Sequence, residues 1–228
     1  KGYLIPAVVY TFDGHIHEIA LKGTWQHRDL TLAAQAPFAS YHKTMAYQRS
    51  DGVSMVLYIG KDWHVHSLYL ELRQVGNDWQ ELWHHADLSD IAAGAPKAHP
   101  DSCPFGYVRN DDINAVVYFG ADRHIHELRL EGGTWIWADL TKLSGAPAAT
   151  YGNRPFAYDR GDGVNAIVYT SATNKHIIEL RLDTNGWEWA DLTDISIPNA
   201  PLPRSDLTAY VRSDGIPTIN YVGKDDHI

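Results

Sequence analysis

The sequence predicts an all-β protein, a β-propeller of four-stranded antiparallel blades, on three observations. A β-branched run ending in tyrosine returns five times at intervals of roughly 50 residues. A histidine-led segment and a tryptophan-to-aspartate segment follow it in the same order each time. No stretch carries a sustained 3.6-residue apolar period, so helices should be scarce.

The first run reads Ala7-Val8-Val9-Tyr10, and its copies are Met55-Val56-Leu57-Tyr58, Ala115-Val116-Val117-Tyr118, Ala166-Ile167-Val168-Tyr169 and Thr218-Ile219-Asn220-Tyr221. After a turn come His15-Ile16-His17-Glu18, His64-Val65-His66-Ser67, His124-Ile125-His126-Glu127 and His176-Ile177-Ile178-Glu179, and the fifth copy ends at His227-Ile228. The next segment runs from Trp25 to Asp29-Leu30-Thr31, from Trp83 to Asp87-Leu88-Ser89, from Trp135 to Asp139-Leu140-Thr141 and from Trp187 to Asp191-Leu192-Thr193. An Ala-Pro linker then leads to a strand ending in Arg49, Arg109, Arg160 or Arg212. Turns such as Asp51-Gly52, Asp162-Gly163 and Asp214-Gly215 close the unit, since glycine accepts the positive φ that tight hairpins need. Four short strands per unit is the pattern of a propeller blade, whose faces are buried by its neighbours. The chain 1–228 is thus expected to be a single propeller domain, with units at approximately 1–37, 38–96, 97–147, 148–201 and 202–228. Five blades, the first and last incomplete, is the expected count; a four-bladed ring with an overhang and a piece of a longer array fit the same spacing.

Composition narrows the function classes. Lysine and arginine number 19 against 28 acids, a net charge of -9, which argues against a nucleic-acid partner. No apolar run approaches the roughly 18 residues that span a bilayer, so membrane insertion is not expected, and the first residues lack the pattern of a signal peptide. Cys103 is the only cysteine, which excludes an internal disulfide. Incomplete blades expose strand edges that another chain can pair with, which leaves a homo-oligomer open.

The polar residues recur in copies, whereas catalysis needs one asymmetric constellation. No phosphate-binding glycine loop or nucleophile elbow is present, and no carboxylate pair is singled out, so no catalytic residue is assigned. The His-x-His pairs place two imidazoles on one strand face, a spacing that can serve a metal, but the motif names no third ligand. They are expected to pack between blades and to bond to backbone or to Asp13, Asp62 and Asp122, with no metal and no cofactor. The aspartates and threonines of the Asp-Leu-Thr segments should bond nearby amides, the arginines should pair with the turn carboxylates, and Trp137 and Trp189 should be blade core. Repeated polar and aromatic cassettes suit weak, multivalent sugar binding: an indole stacks on a pyranose while a carboxylate accepts from its hydroxyls.

The unit resembles the blade of the fucose-specific lectin propellers of fungi and bacteria, the Aleuria-type family. The likeness rests on the order Val-Tyr, turn, Ile-x-Glu, Gly-x-Trp and Ala-Pro-Ala, as in Glu18 with Gly23-Thr24-Trp25, Glu127 with Gly133-Thr134-Trp135, and Glu179 with Gly186-Trp187. It implies carbohydrate-binding roles for Glu18, Trp25, Glu127, Trp135, Glu179 and Trp187, each glutamate bonding sugar hydroxyls beside a tryptophan of a neighbouring blade. Glycans would be the partners, and an extracellular or secreted location follows from the same resemblance. The chain departs from the family in two ways. The sugar-binding arginine before the Val-Tyr pair is replaced by Val8, Val56, Val116 and Ile167, which leaves the sugar open, and Ser67 stands where the second unit's glutamate should be. The alternative function is a protein-interaction scaffold without a sugar site.

Overall fold

The strands of the computed structural model, which describes residues 5–152, 154–196 and 201–227, form five antiparallel sheets in chain order. The first holds β1 (Ala7–Phe12), β2 (His15–Lys22) and β3 (Thr24–Asp29). The second holds β4 (Ala39–Gln48), β5 (Ser54–Gly60), β6 (Val65–Val75) and β7 (Asp78–Asp87). The third holds β8 (Phe105–Val108), β9 (Asn114–Phe119), β10 (Ile125–Glu131) and β11 (Thr134–Asp139). The fourth holds β12 (Phe156–Asp159), β13 (Asn165–Thr170), β14 (Ile177–Asp183) and β15 (Gly186–Asp191), and the fifth β16 (Thr208–Val211) and β17 (Pro217–Asn220). Among the described residues each strand pairs only with its sequence neighbours, the meander of a propeller blade. Strands β4, β8, β12 and β16 lie against one another from sheet to sheet and form the inner rim.

The recurring residues now have physical roles. Tyr58, Tyr118 and Tyr169, which close the Val-Tyr runs, donate to the carbonyls of Pro37, Pro96 and Pro147 at 3.0, 2.8 and 2.6 Å. Each thereby ties its strand to the Ala-Pro linker that enters the blade. His15, His64, His124 and His176 each place Nδ1 2.7 or 2.8 Å from Oδ2 of Asp29, Asp87, Asp139 or Asp191. The hydroxyls of Thr31, Ser89, Thr141 and Thr193 accept from the backbone amides of Ile16, Val65, Ile125 and Ile177.

The same aspartates use Oδ1 to accept an amide three residues on, from Leu32, Asp90, Lys142 and Asp194. That is helix N-capping, and one-turn helices follow: α1 (Leu30–Ala33), α2 (Leu88–Ile91), α3 (Leu140–Ser144) and α4 (Leu192–Ser196). The expected turns are therefore helical turns, too short to carry an apolar period. Among the described residues no helix is long and apolar enough to cross a membrane.

The core lies between sheets. Met55, Leu57 and Ile59 of the second sheet pack with Val116, Tyr118, Leu128 and Trp135 of the third. On the other face of the third, Val117, Phe119 and Ile125 pack with Ile167, Tyr169 and Leu180 of the fourth. Both faces of the central sheets are thus buried, which explains why β9 and β13 are enclosed along their whole length.

Candidate functional site

Strand register decides which polar residues meet. Trp25, Trp83, Trp135 and Trp187 are structural equivalents, opposite Leu21, Leu70, Leu130 and Leu182. Glu18, Ser67, Glu127 and Glu179 are equivalent in the same sense, opposite Val9, Leu57, Val117 and Val168. Within one sheet the glutamate and the tryptophan face opposite sides, so a glutamate meets the tryptophan of the following sheet. Glu18 lines one cleft with Trp83, and Glu127 lies on the face that packs with Trp187. Trp135 packs on the second sheet, across from the strand that carries Ser67. Trp83 is a partner that the Gly-x-Trp spacing misses, because β6 and β7 extend into a longer hairpin. The constant four-residue interval to Asp87 would have identified it.

The glutamates differ in access. Glu127 is fully buried. It accepts from the Tyr107 hydroxyl at 2.9 Å and from Arg109 Nη1 at 3.5 Å. Burial pushes its carboxyl up from the ordinary value, with Arg109 and the Tyr107 hydroxyl pulling it back. Glu179 has the same partners in Tyr158 (3.2 Å) and Arg160 (3.1 Å). It also lines a cleft of about 400 Å³ with Arg160, Ile177, Ile195 and Tyr221. These arginines directly follow the inner strands β8 and β12, and do not come from the position before Val-Tyr. Each also pairs with its turn carboxylate: Arg49 with Asp51, Arg109 with Asp111, Arg160 with Asp162 and Arg212 with Asp214, at 2.5 to 2.8 Å.

The larger cleft, about 570 Å³, lies between the first and second sheets and is lined by Glu18, Lys22, Gln48, Leu72, Glu81 and Trp83 among others. Glu81 pairs across it with Lys22 and, at 3.2 Å, with Arg28. Burial pushes the Glu18 carboxyl up, Lys22 and Arg28 pull it down, and Glu81 adds to the rise. The indole Nε1 of Trp83 is buried without a hydrogen-bond partner. Trp25 is on the far face of the first sheet and is 59% exposed.

The histidines pack as expected in two units. His66 and His126, both buried, place Nε2 3.0 Å from Oδ1 of Asp62 and Asp122. In the first unit His17 instead faces His27, at 3.1 Å. Trp137 and Trp189 are not core: they are 36% and 40% exposed, although Trp135, two residues before Trp137 on the same strand, is 7% exposed. Trp137 Nε1 donates to His126 Nδ1 at 3.1 Å, and in the second sheet His85 takes the place of that tryptophan, with Nε2 2.9 Å from His66 Nδ1. Among the described residues three groups, Asp62-His64-Asp87, Asp122-His124-Asp139 and His176-Asp191-Asp194, bring donor atoms within 4.8 Å. In each group the histidine Nδ1 is already engaged by the N-cap aspartate, Asp87, Asp139 or Asp191. Cys103 is buried, and burial pushes its thiol up, away from the reactive thiolate.

The histidine pair predicts a pH dependence. Burial and His66 hold His85 below the ordinary imidazole value of 6.5, with Asp87 and Asp62 opposing. A depressed value means that the unfolded chain takes the proton first. Its contribution to stability is therefore complete above about pH 6.5 and is lost as pH falls through the folded value. The thermal midpoint should fall between pH 7.5 and 5. His85→Trp, which copies the third sheet, should flatten part of that fall, with His126, also depressed by burial, keeping the remainder. Identical pH profiles for the two proteins would refute this.

Fold and site together define a propeller of antiparallel four-stranded blades with polar clefts between blades. Comparison with solved structures gives the same fold. The SapL1 lectin in complex with alpha methyl fucoside matches with a TM-score of 0.52 and 17% identity, over 98% of this chain and 74% of that one. A mutant Aleuria aurantia lectin in complex with Fucalpha1-6GlcNAc matches with a TM-score of 0.56 and 12% identity, over 97% of this chain and 72% of that one. The chain therefore has the fold of the Aleuria-type lectin propellers. No protein-family model and no curated protein matches the sequence.

Proposed function

We propose that this chain is a non-catalytic carbohydrate-binding lectin. The observation that carries the reading is the cleft between the first and second sheets. There a carboxylate (Glu18), a cation-carboxylate pair (Lys22 and Glu81) and the indole of Trp83 line one space. Its volume lies in the range of small-ligand pockets. Apolar walls with a few convergent polar groups suit a sugar, whose hydroxyls donate to carboxylates and accept from cations. The cleft around Glu179 and Arg160 is a second site of related chemistry, and the exposed indole of Trp25 is a stacking platform. Such sites gain avidity together on a glycan-coated surface. Glu127 and Trp135 act in this reading as packing, with Trp187 beside them. Glycans are the partners, and an extracellular location follows from that role.

The test is a broad glycan array with and without a chelator, repeated for Glu18→Gln after its fold is verified by circular dichroism. A narrow sugar class should bind, indifferent to chelation, and Glu18→Gln should weaken binding at least about tenfold, the loss of a charge-assisted hydrogen bond. A blank array on folded protein sinks the reading.

A further inference from the structure

We infer that the interface between the second and third sheets holds a carboxylate-binding subsite, in which a ligand supplies the acid that the second sheet lacks. Tyr47, Arg49 and Ser67 occupy the register positions of Tyr107, Arg109 and Glu127. In the third and fourth sheets the glutamate carboxylate accepts from both the tyrosine and the arginine. In the second sheet Ser67 Oγ, Tyr47 OH and Arg49 Nε are all buried without a hydrogen-bond partner. The missing acid thus leaves one unpartnered group at its own position and two at the positions that hold it in the other sheets.

All three groups donate, and two of them are neutral hydroxyls. Burial pushes the Tyr47 phenol up, so it stays protonated. Two hydroxyls and one guanidinium N–H call for an acceptor-only anion, and a carboxylate is what the equivalent sites use. Arg49 Nη2 is engaged by Asp51 at 2.5 Å, which leaves Nε for the ligand. The ring of Tyr47 lies against Gly106 of the third sheet, where even a Cβ would approach it to 2.3 Å, so its position is set across the interface. Met55 and Leu57 stand where the third sheet has Ala115 and Val117, which narrows the space and favours a small carboxylate. Ser67 is fully buried, while the Arg49 side chain is 18% exposed, which puts the mouth beside Arg49. The ligand is a free small carboxylate or the carboxylate of an acidic sugar. The subsite does not depend on the sugar reading of the first cleft.

The experiment is thermal unfolding at constant ionic strength in chloride, sulfate, acetate and glucuronate, for the wild type, Ser67→Glu and Tyr47→Phe. The wild-type midpoint should rise with the logarithm of acetate concentration, by about 3–5 °C for each tenfold step above the dissociation constant. Glucuronate acting as well as acetate would assign the acidic sugar, and acetate alone the small anion. Ser67→Glu should melt higher in chloride and ignore acetate, because it carries its own acid. If Ser67→Glu fails to fold, Tyr47→Phe decides, by folding and losing the acetate response. A wild-type midpoint equally raised by sulfate, a midpoint indifferent to both carboxylates, or an unchanged response in Tyr47→Phe would overturn the subsite. A blank glycan array leaves these outcomes untouched, so the two readings fail separately.

Discussion

Glu127→Ala should destabilise the protein by about 3–5 kcal/mol, the cost of removing one partner from a buried ion pair. The carboxylate is fully buried and holds the Tyr107 hydroxyl and Arg109. Its removal strands a buried phenol and leaves the guanidinium with Asp111 alone. Glu127→Gln keeps an acceptor for Tyr107 and should cost less. Since total stability is typically about 5–15 kcal/mol, this loss is a large fraction of it. Urea denaturation of both variants beside the wild type measures this. A cost below about 1 kcal/mol for Glu127→Ala would show that the acid is not part of the packed interface, and would return it to the list of open sugar sites.

Trp135→Ala should be nearly as severe, about 3–5 kcal/mol, the usual range for deleting a buried indole. Trp135 is 7% exposed and fills the space between the third sheet and Met55, Leu57 and Leu88 of the second unit. Trp25, its register equivalent, is 59% exposed, and Trp25→Ala should stay within about 0.5 kcal/mol. Denaturant melts of the pair give a direct contrast between two copies of one sequence motif. Equal costs would mean that the outer face of the first sheet is covered in solution.

These contrasts mark how far the repeat can be read. The blade pattern was legible because β-branched runs, Asp-Gly turns and Ala-Pro linkers each act locally, over a few residues. The structural duty of the turn aspartates was legible for the same reason: Arg109 and Asp111 are two residues apart and meet at 2.7 Å. The helical character of the Asp-Leu-Thr segments was not, since one turn leaves no periodic signature and only the N-cap aspartate announces it. The exposure of Trp137 and Trp189 was missed because aromatic content says nothing about which positions of a strand the neighbouring sheet covers.

The candidate site divides along the same line. Glu18, Glu127 and Glu179 share one motif, and their equivalence follows from spacing alone. Their access does not, because it is set by side chains from other strands and other sheets. Tyr107 and Arg109 hold Glu127 in a buried interface, whereas Glu18 shares a cleft with Trp83 and Glu81 of the next sheet. The amino-acid sequence by itself determined the β meander, its repeat and the residues that close each blade, since these rest on hydrogen bonds and turns within one unit. Only the tertiary structure decided which tryptophan faces which glutamate, and which acids are sealed or open. That decision belongs to strand register and to the stacking of one sheet on the next, and a residue's own neighbours in the chain carry no record of it.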